Sequence, residues 1–178
     1  GTDTGPIRPP VVARAVRDDG VGWVPPMPSQ RPEPVDVEVL YRELESRGYG
    51  YSPAFRLVSH IEREGSVFRS EVQAPRADES WAPALDACVH ATLLGFEGLM
   101  LPFMWKNVRL DRTTLATDRL LVTSEVFGDS VVRLQCRTPE GRVVFSVDEI
   151  EFRPAAQIRP ALERVEWHRI LRAQDVEP

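Results

Sequence analysis

Apolar positions recur every three or four residues between Asp36 and Gly48, where Val37, Leu40, Tyr41 and Leu44 share one side and acidic residues lead. The spacing predicts a short amphipathic helix stopped by Gly48. Two runs follow, Phe55 to Ile61 and Val67 to Val72, separated by the polar turn Glu64-Gly65-Ser66. The second alternates Val67, Arg69 and Glu71 against Phe68, Ser70 and Val72, so the pair predicts a β-hairpin. Residues 74–81 are polar and predict a loop. Pro83 then opens PALDACVHATLLGF, which is apolar on nearly every side and holds no further proline. A helix without a polar face belongs in the core.

Four more runs close the pattern: Val108 to Leu110, Arg119 to Val126, Val131 to Arg137 and Arg142 to Phe152. Each is rich in Val, Leu or Phe, and turn residues such as Gly128-Asp129 and Pro139-Glu140-Gly141 divide them, which predicts an antiparallel meander. Two strands, one apolar helix and three or four strands make an α+β protein. An antiparallel sheet wrapped around one central buried helix, the hot-dog fold, is the arrangement that hides such a helix.

The ends of the chain read differently. Residues 1–34 hold eight of the 16 prolines and no sustained period, so they are expected to be a linker. The folded domain is expected over 35–154. Residues 155–178 predict a linker or docking segment, in which Arg164, Arg169 and Arg172 could face an acidic partner or simply solvent.

Composition narrows the function. At 178 residues the chain has room for one core, and 42% hydrophobic with 28% charged residues fits a soluble globular protein. A net charge of −5 gives no electrostatic reason to expect nucleic acid. No run approaches the ~20 apolar residues of a membrane span, and no signal core is evident, so a cytoplasmic protein is expected. Cys88 and Cys136 lie far apart inside apolar runs, and His60, His90 and His168 are scattered, so neither a disulfide framework nor a metal site is expected.

Asp86 is the residue that composition does not explain. A carboxylate inside a fully apolar helix costs several kcal/mol unless neutral or paired. His90 lies four residues on, one turn away on the same face, so an Asp–His pair is geometrically available. Such a pair is either a satisfied polar plug or a general acid whose buried carboxyl is poised near neutral pH.

Four strings around these residues carry a resemblance. PALDACVHA is similar to a signature of the second hot dog in polyketide synthase dehydratases, and YSPAF at 51–55 looks like that family's YGPAF. LPFMWKNVRL at 101–110 looks like its LPFxWxGVxL, and EGRVVFSVDEIEFRP matches its closing strands. The stretch ALERVEWHRI at 161–170 resembles the segment that follows such a domain in a modular synthase.

The resemblance implies elimination of water from a 3-hydroxyacyl chain carried on the phosphopantetheine arm of acyl carrier protein, with no other cofactor. It implies that Asp86 protonates the departing hydroxyl and that His90 orients it. Tyr51, Pro53, Phe55, Pro102, Phe103 and Trp105 would line the acyl tunnel or hold its strand. For Phe55 and Phe103 core packing is the expected role.

The sequence departs from the family at three places. The family's base is a histidine in HxxxGxxxxP, and no histidine here is followed by glycine at that offset. Trp81-Ala82-Pro83 stands where the family has His-Pro, and Ser52 stands for the glycine of YGP. The expected partner is therefore a second hot dog, either another copy or a missing N-terminal half. Alternatives are a non-catalytic scaffold or docking module, or an isomerase or cyclase on the same fold.

Overall fold

The computed structural model describes residues 23–27, 32–76, 79–111 and 117–157. Among the described residues, seven strands form one antiparallel sheet: β1 (Glu33–Pro34), β2 (Val58–Glu64), β3 (Val67–Gln73), β4 (Met100–Leu110), β5 (Arg119–Phe127), β6 (Val131–Arg137) and β7 (Val143–Pro154). Their order across the sheet is β1-β2-β3-β5-β6-β7-β4, so β4 crosses over to the far edge and pairs with β7 alone. Two helices complete the fold, α1 (Val37–Ser46) and α2 (Ala82–His90).

Helix α1 forms as its periodicity predicts. The Asp36 side chain accepts the Glu38 N–H at 2.8 Å, satisfying one of the free amides of the first turn. The helix buries Leu40, Tyr41 and Leu44 on one side. It ends where Gly48 takes φ +99°, which lets the Tyr49 N–H return to Leu44 O at 2.9 Å. A side chain at Gly48 would strain that left-handed turn.

The apolar run that follows Pro83 is divided rather than continuous. Residues Ala82–His90 are α-helical, and Ala91–Gly95 tighten into a 3-10 turn. Gly95 allows the close approach that ends it, because a Cβ there would meet Val126 Cγ2 at 3.0 Å. Arg47 then caps the turn, its Nη1 donating to Leu93 O at 2.9 Å and also to Phe96 O. Ala87, Cys88 and His90 of α2 are fully buried against a core that includes Ile61, Phe68, Leu134 and Phe152. Burying each large side chain of this kind is worth about 1.5–3 kcal/mol.

Three expectations need correction. The first turns of α2 are not fully buried: Leu85 and Asp86 are half-buried and Ala82 is exposed. The hairpin begins at Val58, because Pro53 seeds a 3-10 turn over Pro53–Phe55 and Phe55 is not in a strand. The run read over Val108 to Leu110 begins at Met100 instead. As an edge strand β4 tolerates Pro102, and much of it is exposed on both sides, so it shows no alternation of apolar and polar residues.

The exposed side chains of β4 include Phe103, Trp105, Val108 and Leu110, with relative exposures of 47, 38, 48 and 44%. Tyr49 fixes the start of this strand, its hydroxyl donating to Met100 O at 2.6 Å and accepting the Met100 N–H at 2.7 Å. Within the stretch read as linker, β1 pairs with β2, Trp23 O accepts Gln135 Nε2 at 3.2 Å and Pro26 O accepts Arg69 Nη2 at 2.9 Å. The expected docking segment from residue 158 onward, with Arg164, His168, Arg169 and Arg172, lies outside the described residues.

Candidate functional site

Helical geometry brings Asp86 and His90 together. Residues four apart on α2 stack on one face, and His90 Nε2 sits 2.9 Å from Asp86 Oδ2. The two differ in surroundings. The His90 side chain has no exposure at all, whereas that of Asp86 is 40% exposed. The carboxyl therefore reaches the surface instead of lying in the enclosed apolar pocket that the sequence led one to expect.

Two tyrosines complete the surroundings of His90. The Tyr51 ring lies with its centroid 4.0 Å from that of the imidazole, tilted by 42°. Tyr41 reaches across from α1 and meets His90 edge-on, with its hydroxyl 3.4 Å from Nδ1. The same hydroxyl accepts the Val58 N–H at 3.2 Å, tying α1, α2 and β2 to one oxygen. Tyr49 stacks on the other side of Tyr51 with 5.9 Å between centroids.

Burial, and then the nearby Asp86 carboxylate, push the Tyr51 phenol well above its ordinary value. Burial also raises Tyr41, opposed by the Val58 N–H and the Arg56 cation. Both phenols therefore stay neutral at physiological pH. Tyr41 was legible in the sequence only as an apolar helix position. A buried phenol must find a partner for its hydroxyl, and that was the available signal.

The other expected site residues are dispersed. Pro53 is exposed and Phe55 half-buried on the 3-10 turn that packs against α2. Pro102, Phe103 and Trp105 sit on β4 and face β7: Pro102 pairs with Phe152, Phe103 lies 3.6 Å from the Arg153 guanidinium, and Trp105 is 6.3 Å from the Phe145 ring. Phe103 is half-exposed, so the core-packing role expected for it does not hold.

Clefts of about 740 Å³ beside Arg76 and Arg119 and about 550 Å³ beside Met27 and Arg69 are not lined by Asp86 or His90. Hydrogen-bonding chemistry, and not cavity size, marks the site. His60 pairs with Glu62 at the surface, and Cys88 and Cys136 are buried free thiols. No group of three metal-ligating side chains occurs among the described residues.

An antiparallel sheet folded over one central helix defines the hot-dog fold. Comparison with known proteins makes this specific. A family model described as the polyketide synthase dehydratase N-terminal domain matches residues 23–161. Mycoketide-CoA synthase of Mycobacterium tuberculosis (strain ATCC 25618 / H37Rv) is 32% identical over 146 residues, which cover 72% of this chain and 3% of that protein.

A crystal structure of a fusion dehydratase domain shares 30% identity with a TM-score of 0.62, covering 76% of this chain and 53% of the other. A structure bearing on dehydratase substrate selection for the borrelidin and fluvirucin polyketide synthases shares 27% identity with a TM-score of 0.63, covering 76% and 52%. The chain belongs to the polyketide synthase dehydratase family. It spans about half of these solved domains and a few per cent of the synthase. The family description names the N-terminal domain, while the strings quoted above resemble the second hot dog.

Proposed function

We propose that this chain is the aspartate-bearing second hot dog of a modular polyketide synthase dehydratase, acting on 3-hydroxyacyl chains held on acyl carrier protein. The observation that supports it best is the Asp86–His90 contact of 2.9 Å, with the carboxyl 40% exposed, where a substrate hydroxyl could reach it. In this reading a base outside the chain takes the α-proton, the Cα–Cβ double bond forms, and the Cβ–O bond breaks. Asp86 gives its proton to the departing hydroxyl, which leaves as water, and it is recharged when the base returns the proton taken from Cα.

The base belongs to a partner hot dog, supplied by an upstream half or a second copy, since no HxxxGxxxxP stands in this sequence. The apolar side chains of edge strand β4 favour such a partner, because an open edge with exposed Phe103, Trp105, Val108 and Leu110 invites strand addition. Among the described residues no helix is long and apolar enough to cross a membrane, and a cytoplasmic location is part of the proposal.

A dehydration assay on 3-hydroxyacyl carrier protein, run with the upstream half present, tests the reading. Asp86→Asn should lower the rate by at least ~10²-fold, the usual scale of a lost general acid. Equal rates would remove Asp86 from the chemistry. The absence of the HxxxGxxxxP histidine favours the second reading, a dehydratase-like scaffold; binding of carrier protein with no turnover, even beside its neighbours, would support it. Formation of an isomerised or cyclised product instead would assign the related chemistry.

A further inference from the structure

We infer that Tyr41 is a positioning residue, whose hydroxyl holds His90 as the neutral tautomer protonated on Nε2 so that His90 faces Asp86 as a donor. The inference rests on the proposed role of Asp86 for its catalytic meaning, but its geometry stands apart from that role.

The directions follow from counting protons. The Val58 N–H can only donate, so the Tyr41 oxygen accepts it at 3.2 Å. The single proton of Tyr41 is then free for His90 Nδ1, 3.4 Å away. An Nδ1 that accepts is unprotonated, and in a neutral imidazole the proton must sit on Nε2. Nε2 then donates to Asp86 Oδ2, 2.9 Å away, and the proton that a general acid delivers stays on the other oxygen, Oδ1.

The opposite tautomer would leave the Tyr41 proton without an acceptor beside a fully buried ring. The doubly protonated ring fails on the same count, since a proton on Nδ1 would meet the Tyr41 hydroxyl and leave the Tyr41 proton without an acceptor.

The imidazole is also held in place. Tyr51 covers its face at 4.0 Å and Tyr41 meets it at an interplanar angle of 86°. Burial keeps the Tyr41 phenol protonated well into alkaline solution, so the donor persists through the physiological range. One oxygen of Asp86 is thereby occupied by His90, and the other is left for a substrate hydroxyl.

Long-range ¹H–¹⁵N NMR of the whole chain, labelled with ¹⁵N-histidine, reads the tautomer directly at pH 7. The His90 signals, identified by their loss in His90→Gln, should show a protonated Nε2 and an unprotonated Nδ1. Tyr41→Phe should abolish that single-tautomer pattern. A parent chain protonated on Nδ1, or on both nitrogens, overturns the inference, and so does an unchanged pattern in a folded Tyr41→Phe.

Should Tyr41→Phe not fold, the parent spectrum decides alone. This readout involves no turnover, so an inactive Asp86 and a wrong tautomer are separate outcomes. If the dehydratase reading holds, Tyr41→Phe lowers kcat while leaving KM unchanged.

Discussion

His90 and Asp86 face each other across one turn of α2 at 2.9 Å, yet one side chain is sealed in the core and the other is 40% exposed. The pair thus joins the packed interior to the surface of the protein. Replacing the buried member should be costly. His90→Leu leaves the Tyr41 hydroxyl without its partner, a loss of about 1–3 kcal/mol. His90→Gln, whose amide can still reach Asp86, should lose less. Urea unfolding followed by circular dichroism measures both, and equal midpoints would show that the hydrogen bonds at His90 contribute nothing.

Tyr49 serves the opposite edge of the sheet. Its hydroxyl makes two bonds to the backbone of Met100, at 2.6 and 2.7 Å, where β4 begins. Tyr49→Phe strands a buried N–H and a buried carbonyl and should cost about 1–3 kcal/mol. Hydrogen exchange should show the Met100 amide losing protection ahead of the β5 and β6 amides. Uniform loss across the sheet would contradict a local role.

Two glycines test the packing of the helical segments. Gly95→Ala places a Cβ 3.0 Å from Val126 Cγ2 and should destabilise by about 1–3 kcal/mol through overpacking. Gly50→Ala meets nothing within 4 Å and carries no positive φ, so it should stay within about 0.5 kcal/mol of the parent. Thermal unfolding of the two variants side by side gives the comparison.

Alkaline pH should unfold the protein in a defined way. The chain has three tyrosines, and burial raises Tyr41, Tyr49 and Tyr51 above their ordinary value of 10.0. The unfolded chain therefore releases these protons at lower pH than the folded one. Their contribution to stability is fully present below pH 10 and is lost as pH rises beyond it. Tyrosinate absorbance at 295 nm should rise together with loss of ellipticity. An absorbance step near pH 10 in a chain that keeps its fold would refute the neutral cluster.

Edge strand β4 predicts association. Trp105→Lys with Val108→Lys replaces exposed apolar side chains by charges that oppose strand addition. Sedimentation of the parent alone, and mixed with the partner hot dog that the proposed function calls for, should show a complex that the double variant does not form. A parent that stays a 20.1 kDa monomer in both experiments would exclude β4 as a pairing edge.

The sequence by itself determined the elements with one repeating period: α1, the alternating strand β3, the meander of β5 to β7, and the four-residue offset that makes Asp86 and His90 neighbours. These are local, since helix and strand geometry alone place the residues. The edge strand was less legible. With both of its faces open, β4 has no alternation, and only the crossover to β7 shows that LPFMW is a strand. The burial of Asp86 was misread for a similar reason. An apolar helix reveals that it is covered but not along which of its turns, and the covering of α2 leaves its first turns open. The Tyr41 contact with His90 was invisible, because 49 residues separate them and only the packing of α1 against α2 and β2 brings the hydroxyl to the ring.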